Sequence, residues 1–389
     1  MKICVISNLY KPHTRGGAER IVELQVDGLK NHGHEVVVIS TKPERVLEIE
    51  QNKNEKIYRF KPLNLFYYLD DYKHNVFVRS IWHVIDTFNL HSAIRVLIIL
   101  LKEKPDLIIT HNLKGIGFLI PLIIKLVRKN HYHVLHDVQL SVPSGLIIKN
   151  EENNFLQVGF PTKIYRFITK ILFGNPKKVI FPSVWLRDYH EAFQFFRKSH
   201  KQLLRNPLLK LDSYISIKES KSNSFGYIGQ LEDYKGVKWL ADIWDDKKIE
   251  AELMIIGKGE SDLSKYKDHK TIKVLGFKKK EEFEKIFQGM DFLIVPSLCY
   301  ENSPTVILEA LQYATPVIVA NIGGAAELIV PGETGYVFEP VDDKSFIEGL
   351  YSTLNLSNQE YKEFSRNALL FAQKFDMDNY IVELLEIDE

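Results

Sequence analysis

A chain of 389 residues exceeds the size that one hydrophobic core usually supports, so two domains of roughly 150–200 residues each are expected. Hydrophobic residues make up 45% of the chain and charged residues 26%, which excludes a disordered protein, and the formal net charge of +1 does not favour a nucleic acid partner. Because the chain has only two cysteines, no disulfide framework is expected and a reduced, cytoplasmic setting is predicted.

Apolar segments along the chain are short. The longest, Ile94–Leu101 and Ile116–Val127, are interrupted by Arg95 and Lys125 and fall short of the roughly 20 residues that span a bilayer. The opening apolar run is too short for a signal peptide and is predicted to be a buried strand. We therefore expect no integral membrane segment.

β-Branched runs alternate with longer amphipathic segments, which is typical of βαβ units with a parallel sheet. The first half predicts helices that include Ala18–Asn31 and Ile116–Arg128, and strands at Lys2–Ser7, Glu35–Thr41, Lys56–Phe60, Leu107–Thr110, His133–Leu135 and Lys178–Phe181. A polar stretch at 218–224, preceded by Arg205-Asn206-Pro207, is the best candidate for a linker.

The same alternation restarts after this stretch, with strands predicted at Phe225–Ile228, Glu252–Ile256, Ile272–Leu275, Phe292–Val295 and Pro316–Val319. The expected fold is therefore α/β, with two Rossmann-like, doubly wound parallel-sheet domains at 1–210 and 211–372 and a ligand cleft between them, beyond the carboxyl ends of the strands. The remaining segment, 373–389, is predicted to contain a helix, Asp378–Leu385 with Asp378 as N-cap, that packs toward the N-terminal domain.

The most informative segment is Pro296–Leu311, which follows the predicted strand Phe292–Val295. Ser303 stands where a helix N-cap belongs, and Pro304 stands at the first helical position. A strand, a loop and the start of a helix are therefore predicted, and the unpaired N–H groups at Ser303–Val306 suit the phosphates of a nucleotide.

Two glutamates flank this helix start. Glu301 lies in the loop and Glu309 lies between one and two turns into the helix, so both can approach a ligand held there. By spacing alone, a loop carboxylate and a surface glutamate explain the pair equally well.

Two further glycine-containing segments of the second half follow predicted strands. In Phe225–Val237 a strand ends at Gly229, and six residues later Lys235 can bring a positive charge to a pyrophosphate without a metal, although a simple turn before a helix has the same pattern. Paired glycines at Gly323 and Gly324 open the next helix and let backbone amides come near a ligand, whereas Gly332 and Gly335 have the spacing of any tight hairpin turn.

In the first half, Gly16 and Gly17 lie between the first strand and its helix, where a glycine-rich turn can face phosphate or sugar. The three-glycine spacing of a dinucleotide-binding turn is absent, which disfavours a nicotinamide enzyme.

His136-Asp137 follows another predicted strand. A histidine in a turn is the simplest interpretation of His136, and Asp137 is expected to hold the backbone or the imidazole. A metal cluster of His131, His133 and His136 is disfavoured, since strand alternation places the first two on one face and the third on the other.

These motifs run from residue 15 to residue 337, and together they resemble the family 4 retaining glycosyltransferases. The signature of that family has a Glu, seven residues and a second Glu, with Pro-Ser before the first Glu, a Pro after it, and the second Glu within Leu-Glu-Ala. The resemblance implies the two-domain GT-B architecture and a nucleotide-diphosphate sugar donor. It places Glu301 near the donor sugar, Glu309 at the ribose, and Gly276-Phe277 at the base. The family often has Arg where this chain has Gln230, which puts charge stabilisation there in doubt.

Taken together, the predicted catalytic residues are Glu301, His136 and Lys235, and the predicted donor-binding residues are Gly16, Gly17, Gln230, Gly276, Phe277, Asn302, Ser303, Pro304, Thr305 and Glu309. No cofactor is expected besides the sugar nucleotide, and no metal, because no Asp-x-Asp motif ends a strand. Catalysis would rest on positioning and on stabilising the leaving group. The resemblance implies retention of the anomeric configuration.

The acceptor is expected to be a glycan or a lipid-linked molecule in polysaccharide or glycoconjugate synthesis. The segment Ile164–Phe173 mixes apolar and cationic residues at helical spacing, which fits either an interfacial helix with peripheral contact to the inner face of the membrane or an ordinary core helix with overlying lysines. Two other functions remain open. They are a non-catalytic nucleotide-sugar-binding subunit of a glycan assembly system, and another GT-B enzyme such as a nucleotide-sugar epimerase.

Overall fold

A computed structural model describes residues 1–211 and 214–386. The chain forms two compact units. The first comprises Met1–Leu146, Asn153–Pro207 and Met377–Glu389, and the second comprises Ile147–Glu152 and Leu208–Asp376. The second unit thus begins and ends a few residues from the positions expected from sequence, and it includes a short segment from within the first half.

The first unit contains one mainly parallel sheet, and helices connect many of its strands along the chain. Its strands are β1 (Lys2–Ile6), β2 (Glu35–Thr41), β3 (Glu48–Asn52), β4 (Glu55–Phe60), β5 (Leu107–Thr110), β6 (Asn130–Val134), β7 (Lys178–Phe181) and β8 (His200–Leu203). Its helices up to residue 192 are α1 (Gly17–Asn31), α2 (Val76–Thr87), α3 (Leu90–Glu103), α4 (Ile120–Leu126), α5 (Phe155–Val158), α6 (Phe160–Phe173) and α7 (Val184–Ala192).

The sheet order in this unit is β3-β4-β2-β1-β5-β6-β7-β8, and only β3 pairs antiparallel. Central strands such as β5 and β7 are buried along their whole length, which explains their continuous apolar sequence. The strands β3 and β8 were not predicted, because β3 is fully exposed and both are polar edge strands without an apolar pattern.

Two predicted elements of the first unit are displaced. Strand β6 begins at Asn130, three residues before the expected start. Helix α4 begins at Ile120, not at Ile116, because Gly115 and Gly117 have φ angles of +100° and +113° and cannot be helical there.

The second unit contains β9 (Ser224–Gln230), β10 (Glu252–Lys258), β11 (Ile272–Gly276), β12 (Phe292–Val295), β13 (Val317–Ala320) and β14 (Gly335–Phe338), all parallel in the order β11-β10-β9-β12-β13-β14. Its helices are α8 (Val237–Asp246), α9 (Phe283–Gln288), α10 (Thr305–Gln312), α11 (Asp343–Leu354) and α12 (Asn358–Ala372). Strand β14 was not predicted. It begins at Gly335, whose missing Cβ allows the backbone to pass the Val317 carbonyl, since a Cβ would lie 1.9 Å from that oxygen.

The last helix of the described residues is α13 (Met377–Leu385), which belongs to the first unit and packs on α1. A Cβ at Gly28 of α1 would lie 2.8 Å from Met377 Sδ and 2.9 Å from Ile381 Cγ1, so glycine permits the close approach. The predicted N-cap, Asp378, is wrong. The helix begins at Met377, and Asp378 lies in its first turn near His32.

One helical stretch of the described residues, Val76–Glu103, is long and apolar enough to cross a membrane, and 44% of its most apolar window is buried inside the protein. It consists of α2 and α3, which are separated at Phe88 and Asn89. The Asn89 side chain caps α3 by accepting from Ser92 N, and buried Asp86 accepts from Gly115 N at 2.8 Å. These contacts fold the stretch into the first unit as two helices.

Candidate active site

In the second unit, Lys235 is positioned by a tight turn between β9 and α8. Gly236 has φ = +76°, and a Cβ there would lie 1.9 Å from the carbonyl oxygen of Pro296. The turn therefore lies directly against the backbone that follows β12, which only a glycine allows.

This turn brings Lys235 to Glu301. Lys235 Nζ lies 2.5 Å from Glu301 Oε1, and Ser297 Oγ donates to the same oxygen at 2.9 Å. Burial alone would lower the pKa of Lys235, but the adjacent Glu301 carboxylate raises the pKa above its ordinary value. The ammonium group therefore stays charged, and the side chains of both partners remain about one-fifth exposed.

The backbone of Glu301 is held by the glycine pair after β13. Gly324 N donates to Glu301 O at 2.7 Å, and Gly323 has φ = +62°. A Cβ at Gly323 would lie 2.1 Å from that same carbonyl oxygen. The paired glycines thus fix the position of the Glu301 loop.

A second support for this loop comes from the segment 147–152. Ile148 and Cys299 form an antiparallel bridge, with hydrogen bonds from Lys149 N to Leu298 O at 2.8 Å and from Tyr300 N to Ile147 O at 2.9 Å. Sequence reasoning missed this support, because no motif in the segment signals pairing with a loop about 150 residues away.

The start of α10 differs from the prediction by one residue. Pro304 is the N-cap and Thr305 is the first helical residue, because the Pro304 carbonyl, not that of Ser303, accepts the first helical hydrogen bond, from Ile307 N at 3.1 Å. Ser303 Oγ makes no capping bond and has no hydrogen-bond partner among the described residues, although it is buried. A buried hydroxyl without a partner is unusual and suits a site that a ligand completes.

The other predicted donor-binding residues of this unit lie near strand ends or on α10. Gln230 ends β9 and is exposed, with its Oε1 3.4 Å from Tyr234 Oη. Gly276 ends β11 with φ = +68°, and the exposed Phe277 ring lies under Lys258 Nζ, 5.4 Å from the ring centre. Asn302 is buried, whereas Glu309 is half-buried in the second turn of α10.

In the first unit, His136 lies two residues beyond β6, next to His111, which follows the neighbouring strand β5. His111 Nδ1 lies 2.9 Å from His136 Nε2, and His111 Nε2 lies 2.8 Å from Gln25 Oε1. Burial lowers the pKa of His136 to about 4, so its imidazole is neutral near pH 7.

Polar side chains near His136 have hydrogen-bond partners in this structure. The Asp137 carboxylate accepts from Gln139 N at 2.7 Å and from Gln139 Nε2 at 3.1 Å, which anchors the turn after His136.

His131 Nε2 and His133 Nδ1 both lie within 2.8 Å of Thr110 Oγ1, so these two rings share one face of β6. Within residues 1–211 and 214–386, no group of three or more His, Cys, Asp or Glu side chains is arranged to hold a metal.

The Gly16-Gly17 turn caps α1. Glu19 Oε2 accepts from Gly16 N at 2.7 Å and from Arg15 N at 3.3 Å. The N–H of Gly16 is therefore bonded to Glu19, and Gly17 begins the helix. A Cβ at Gly16 would meet nothing within 4 Å, so the turn borders open space.

Two family models match this chain. The Glycosyltransferase Family 4 model matches residues 15–206, and the Glycosyl transferases group 1 model matches residues 212–370. The chain belongs to this glycosyltransferase family. The resemblance read from its motifs is confirmed.

Two relatives match this glycosyltransferase over nearly its whole length. An uncharacterized protein in the cps region of Klebsiella pneumoniae is 25% identical over 94% of this chain and 96% of its own length. An uncharacterized glycosyltransferase of Methanocaldococcus jannaschii is 22% identical over 100% of this chain and 97% of its own.

Solved structures share the fold. A sucrose-phosphate synthase from Thermosynechococcus elongatus superposes with a TM-score of 0.73 at 15% identity, covering 98% of this chain and 97% of that one. HepE from Anabaena in complex with UDP-glucose has a TM-score of 0.65 at 16% identity, covering 99% of both chains. The α/β fold with two Rossmann-like units, of the GT-B type, is therefore confirmed.

Gly323 offers a direct test of how the glycosyltransferase holds Glu301. Gly323→Ala should lower the free energy of unfolding by at least ~2 kcal/mol, because it adds a backbone collision to the cost of a positive φ. Gly332→Ala is the matched control, since Gly332 has φ = +79° but nothing within 4 Å of its Cβ position, and it should cost about 1 kcal/mol. Urea unfolding measures both, and equal losses would contradict the account.

Proposed function

We propose that this chain is a retaining glycosyltransferase that moves a sugar from a nucleoside diphosphate sugar to a glycan or lipid-linked acceptor in the synthesis of a polysaccharide or glycoconjugate. The observation that carries the proposal is the Lys235–Glu301 pair, whose positions are held by glycine turns beyond the ends of β9 and β13 that lie against the loop after β12. Family membership supports the transferase reaction, and structures of the same fold contain UDP-glucose or UDP-2-fluoro glucose.

Lys235 is proposed to bind the diphosphate. Its Nζ has three N–H donors, one of which faces Glu301, and charge-assisted hydrogen bonds to phosphate are stronger than neutral ones. The first N–H groups of α10, at Thr305, add further donors at the positive end of the helix dipole, and Ser303 Oγ and Asn302 lie beside them. We propose that Glu301 orients the sugar hydroxyls, and that Glu309 accepts from the ribose.

The other predicted residues are given supporting roles. Gln230 is proposed to donate neutral hydrogen bonds to the diphosphate, and the backbone of Gly276 and Phe277 to face the base. In the first unit, His136 and the Gly16-Gly17 turn are proposed to contact the donor.

The reaction is proposed to need no metal ion. Lys235 and the helix start supply the positive potential that stabilises the departing diphosphate. The bond between the anomeric carbon and the phosphate oxygen breaks, the acceptor oxygen bonds to that carbon from the same face, and the acceptor proton passes to the departing phosphate oxygen. Atoms and charge balance without a protein nucleophile.

Loss of the Lys235 ammonium should weaken donor binding. Lys235→Met is expected to raise the Kd for the cognate nucleoside diphosphate at least tenfold, because each charge-assisted hydrogen bond contributes about 1.5–3 kcal/mol. Titration calorimetry against UDP, GDP and ADP without metal measures this change. Lys247→Met, at the exposed far end of α8, is the control and should bind like the parent chain.

Selective binding of one nucleoside diphosphate by the parent chain, lost in Lys235→Met alone, would support the donor site. No binding of any of the three would reject it. Binding without any transfer to glycan or lipid-linked acceptors would instead indicate a non-catalytic binding subunit.

The stereochemical outcome is a separate test. Transfer from an α-linked sugar nucleotide should give an α-linked product, because the acceptor attacks the face from which the diphosphate leaves. Proton NMR of the first product formed, before any anomerisation, reports the coupling constant of the anomeric proton. A β-linked product would show an inverting reaction and reject this mechanism.

The acceptor side of the proposal rests on an exposed apolar stripe in the first unit. Helix α6 exposes Phe160, Ile164, Phe167 and Ile171, which recur at helical spacing, and α5 exposes Phe155 and Leu156 just before it. The stripe faces outward, so α6 is not an ordinary core helix on this side. This favours the interfacial interpretation of the segment.

Charge supports a membrane as the occupant of this stripe. Residues 155–173 contain no acidic residue, and Lys163 and Lys170 flank the apolar stripe, which suits anionic headgroups. We propose that α5 and α6 lie on an anionic bilayer surface, as a transferase with a lipid-linked acceptor requires, at the cytoplasmic face.

Vesicle flotation tests this contact. The chain should float with vesicles that contain anionic phospholipid and float several-fold less with neutral phosphatidylcholine vesicles. Phe167→Glu should abolish most of the flotation, because it places a charge among buried acyl chains. Leu370→Glu is the matched control, an exposed leucine on α12 of the second unit, and should float like the parent. A concentration-dependent dimer that does not float would show that a second copy covers the stripe.

A further inference from the structure

A row of four polar side chains runs through the first unit behind His136. His136 Nε2 lies 2.9 Å from His111 Nδ1, His111 Nε2 lies 2.8 Å from Gln25 Oε1, and Gln25 Nε2 donates to the Tyr380 hydroxyl at 3.1 Å. Of these residues, His111 and Gln25 are completely buried and Tyr380 is 3% exposed. None of the three belongs to a motif that identifies the family.

The members of this row come from four different elements. His111 and His136 follow the adjacent strands β5 and β6, Gln25 lies on α1, and Tyr380 lies on α13. The two imidazole rings are inclined by only 25°, with their centres 5.2 Å apart, so the ring nitrogens meet nearly in plane. Such geometry suits a hydrogen bond between the rings.

Donors and acceptors can be assigned along the row. Because the Gln25 amide nitrogen donates to Tyr380, its carbonyl oxygen faces His111 Nε2, which must carry a proton to bond to it. Burial lowers the pKa of His111 well below its ordinary value, so the ring is neutral and its Nδ1 is an acceptor. His136 must then donate from Nε2–H.

We propose that Gln25 and His111 are positioning residues that hold His136 as the Nε2–H tautomer, in which its Nδ1 can act only as a hydrogen-bond acceptor. The proposal rests on the proposed function for the part that His136 plays in sugar transfer, but not for the tautomer. In this tautomer the neutral ring cannot act as an acid through Nδ1.

The same row links the site to the far end of the chain. Gln25 is held on one side by Tyr380 of α13, which packs on α1 at Gly28. The C-terminal helix therefore helps to set the direction of the Gln25 amide, and through it the tautomer of a histidine 244 residues earlier in the chain.

Nitrogen-15 NMR of histidine-labelled full-length protein tests the tautomer directly. The His136 signals, identified by their loss in His136→Asn, should show a protonated Nε2 and an unprotonated Nδ1 at pH 7. Gln25→Met, which keeps the side-chain length but removes the amide, should produce a mixture of both tautomers. A protonated Nδ1 on His136 in the parent chain would overturn the proposal.

Kinetics provide an independent readout. His111→Phe, which removes the acceptor for His136 Nε2–H, should lower kcat on the order of tenfold, the effect of ~1.4 kcal/mol in the transition state. Gln25→Met should lower kcat by a smaller factor, about threefold, with the donor KM changed less than kcat. Equal kcat in Gln25→Met and the parent, with an unchanged tautomer, would also reject the proposal.

Val26→Ala is the control that distinguishes a loss of positioning at His136 from a general loss of packing. Val26 is fully buried on α1 beside Gln25, and its truncation should lower the Tm without changing the His136 tautomer or lowering kcat more than about twofold. If His111→Phe does not fold, the tautomer of the parent and of Gln25→Met still decides the question. If no sugar transfer is detected, the proposed function fails while the NMR result continues to test the row.

Discussion

The close approach of backbone to backbone at two glycines determines the geometry of the candidate donor site. At Gly236 and at Gly323 the space that a Cβ would need is taken by a carbonyl oxygen, that of Pro296 and that of Glu301 respectively. Both carbonyl groups belong to the loop after β12. Gly236 therefore holds this loop from the β9 side, and Gly323 holds it from the β13 side. The parallel order β9-β12-β13 makes this possible, because three neighbouring strands deliver their loops to one edge of the sheet.

The ion pair between Lys235 and Glu301 depends on the fixed position of this loop. In water two such side chains gain little by pairing, but here their backbones are fixed and both are largely screened from solvent, so less side-chain entropy is lost on pairing. Since the pKa of Lys235 is raised above its ordinary value of 10.5, the stabilisation that depends on the Lys235 charge is lost only as the pH rises from 10.5 through the still higher folded-state pKa. The positive charge is therefore constant throughout the physiological range.

The sequence predicted those elements whose burial leaves a periodic pattern, and it failed where burial is partial or contacts are remote. Strands such as Leu107–Thr110 and Phe292–Val295 were placed correctly because they are apolar on both faces. The N-cap of α10 was displaced because Ser303 is the better capping residue by type, whereas the chain uses the extended Pro304 in its place. Nothing in residues 147–152 signals their pairing with the Glu301 loop, which depends on tertiary structure alone.

His111 shows a different kind of omission, since a signal was present. It directly follows the predicted strand Leu107–Thr110, and the same rule that drew attention to His136 after its strand applies equally to His111. Parallel neighbours place residues at equivalent strand ends side by side, so two histidines at the ends of β5 and β6 are expected to meet. In a buried site, protonation of either imidazole to its charged form costs free energy, so both rings stay neutral. One of the two neutral rings must then donate a hydrogen bond to the other. The direction of that donation cannot be read from the two histidines themselves. It is set by the next polar group inward, the Gln25 amide, and this is why the proposed tautomer of His136 depends on a residue of helix α1.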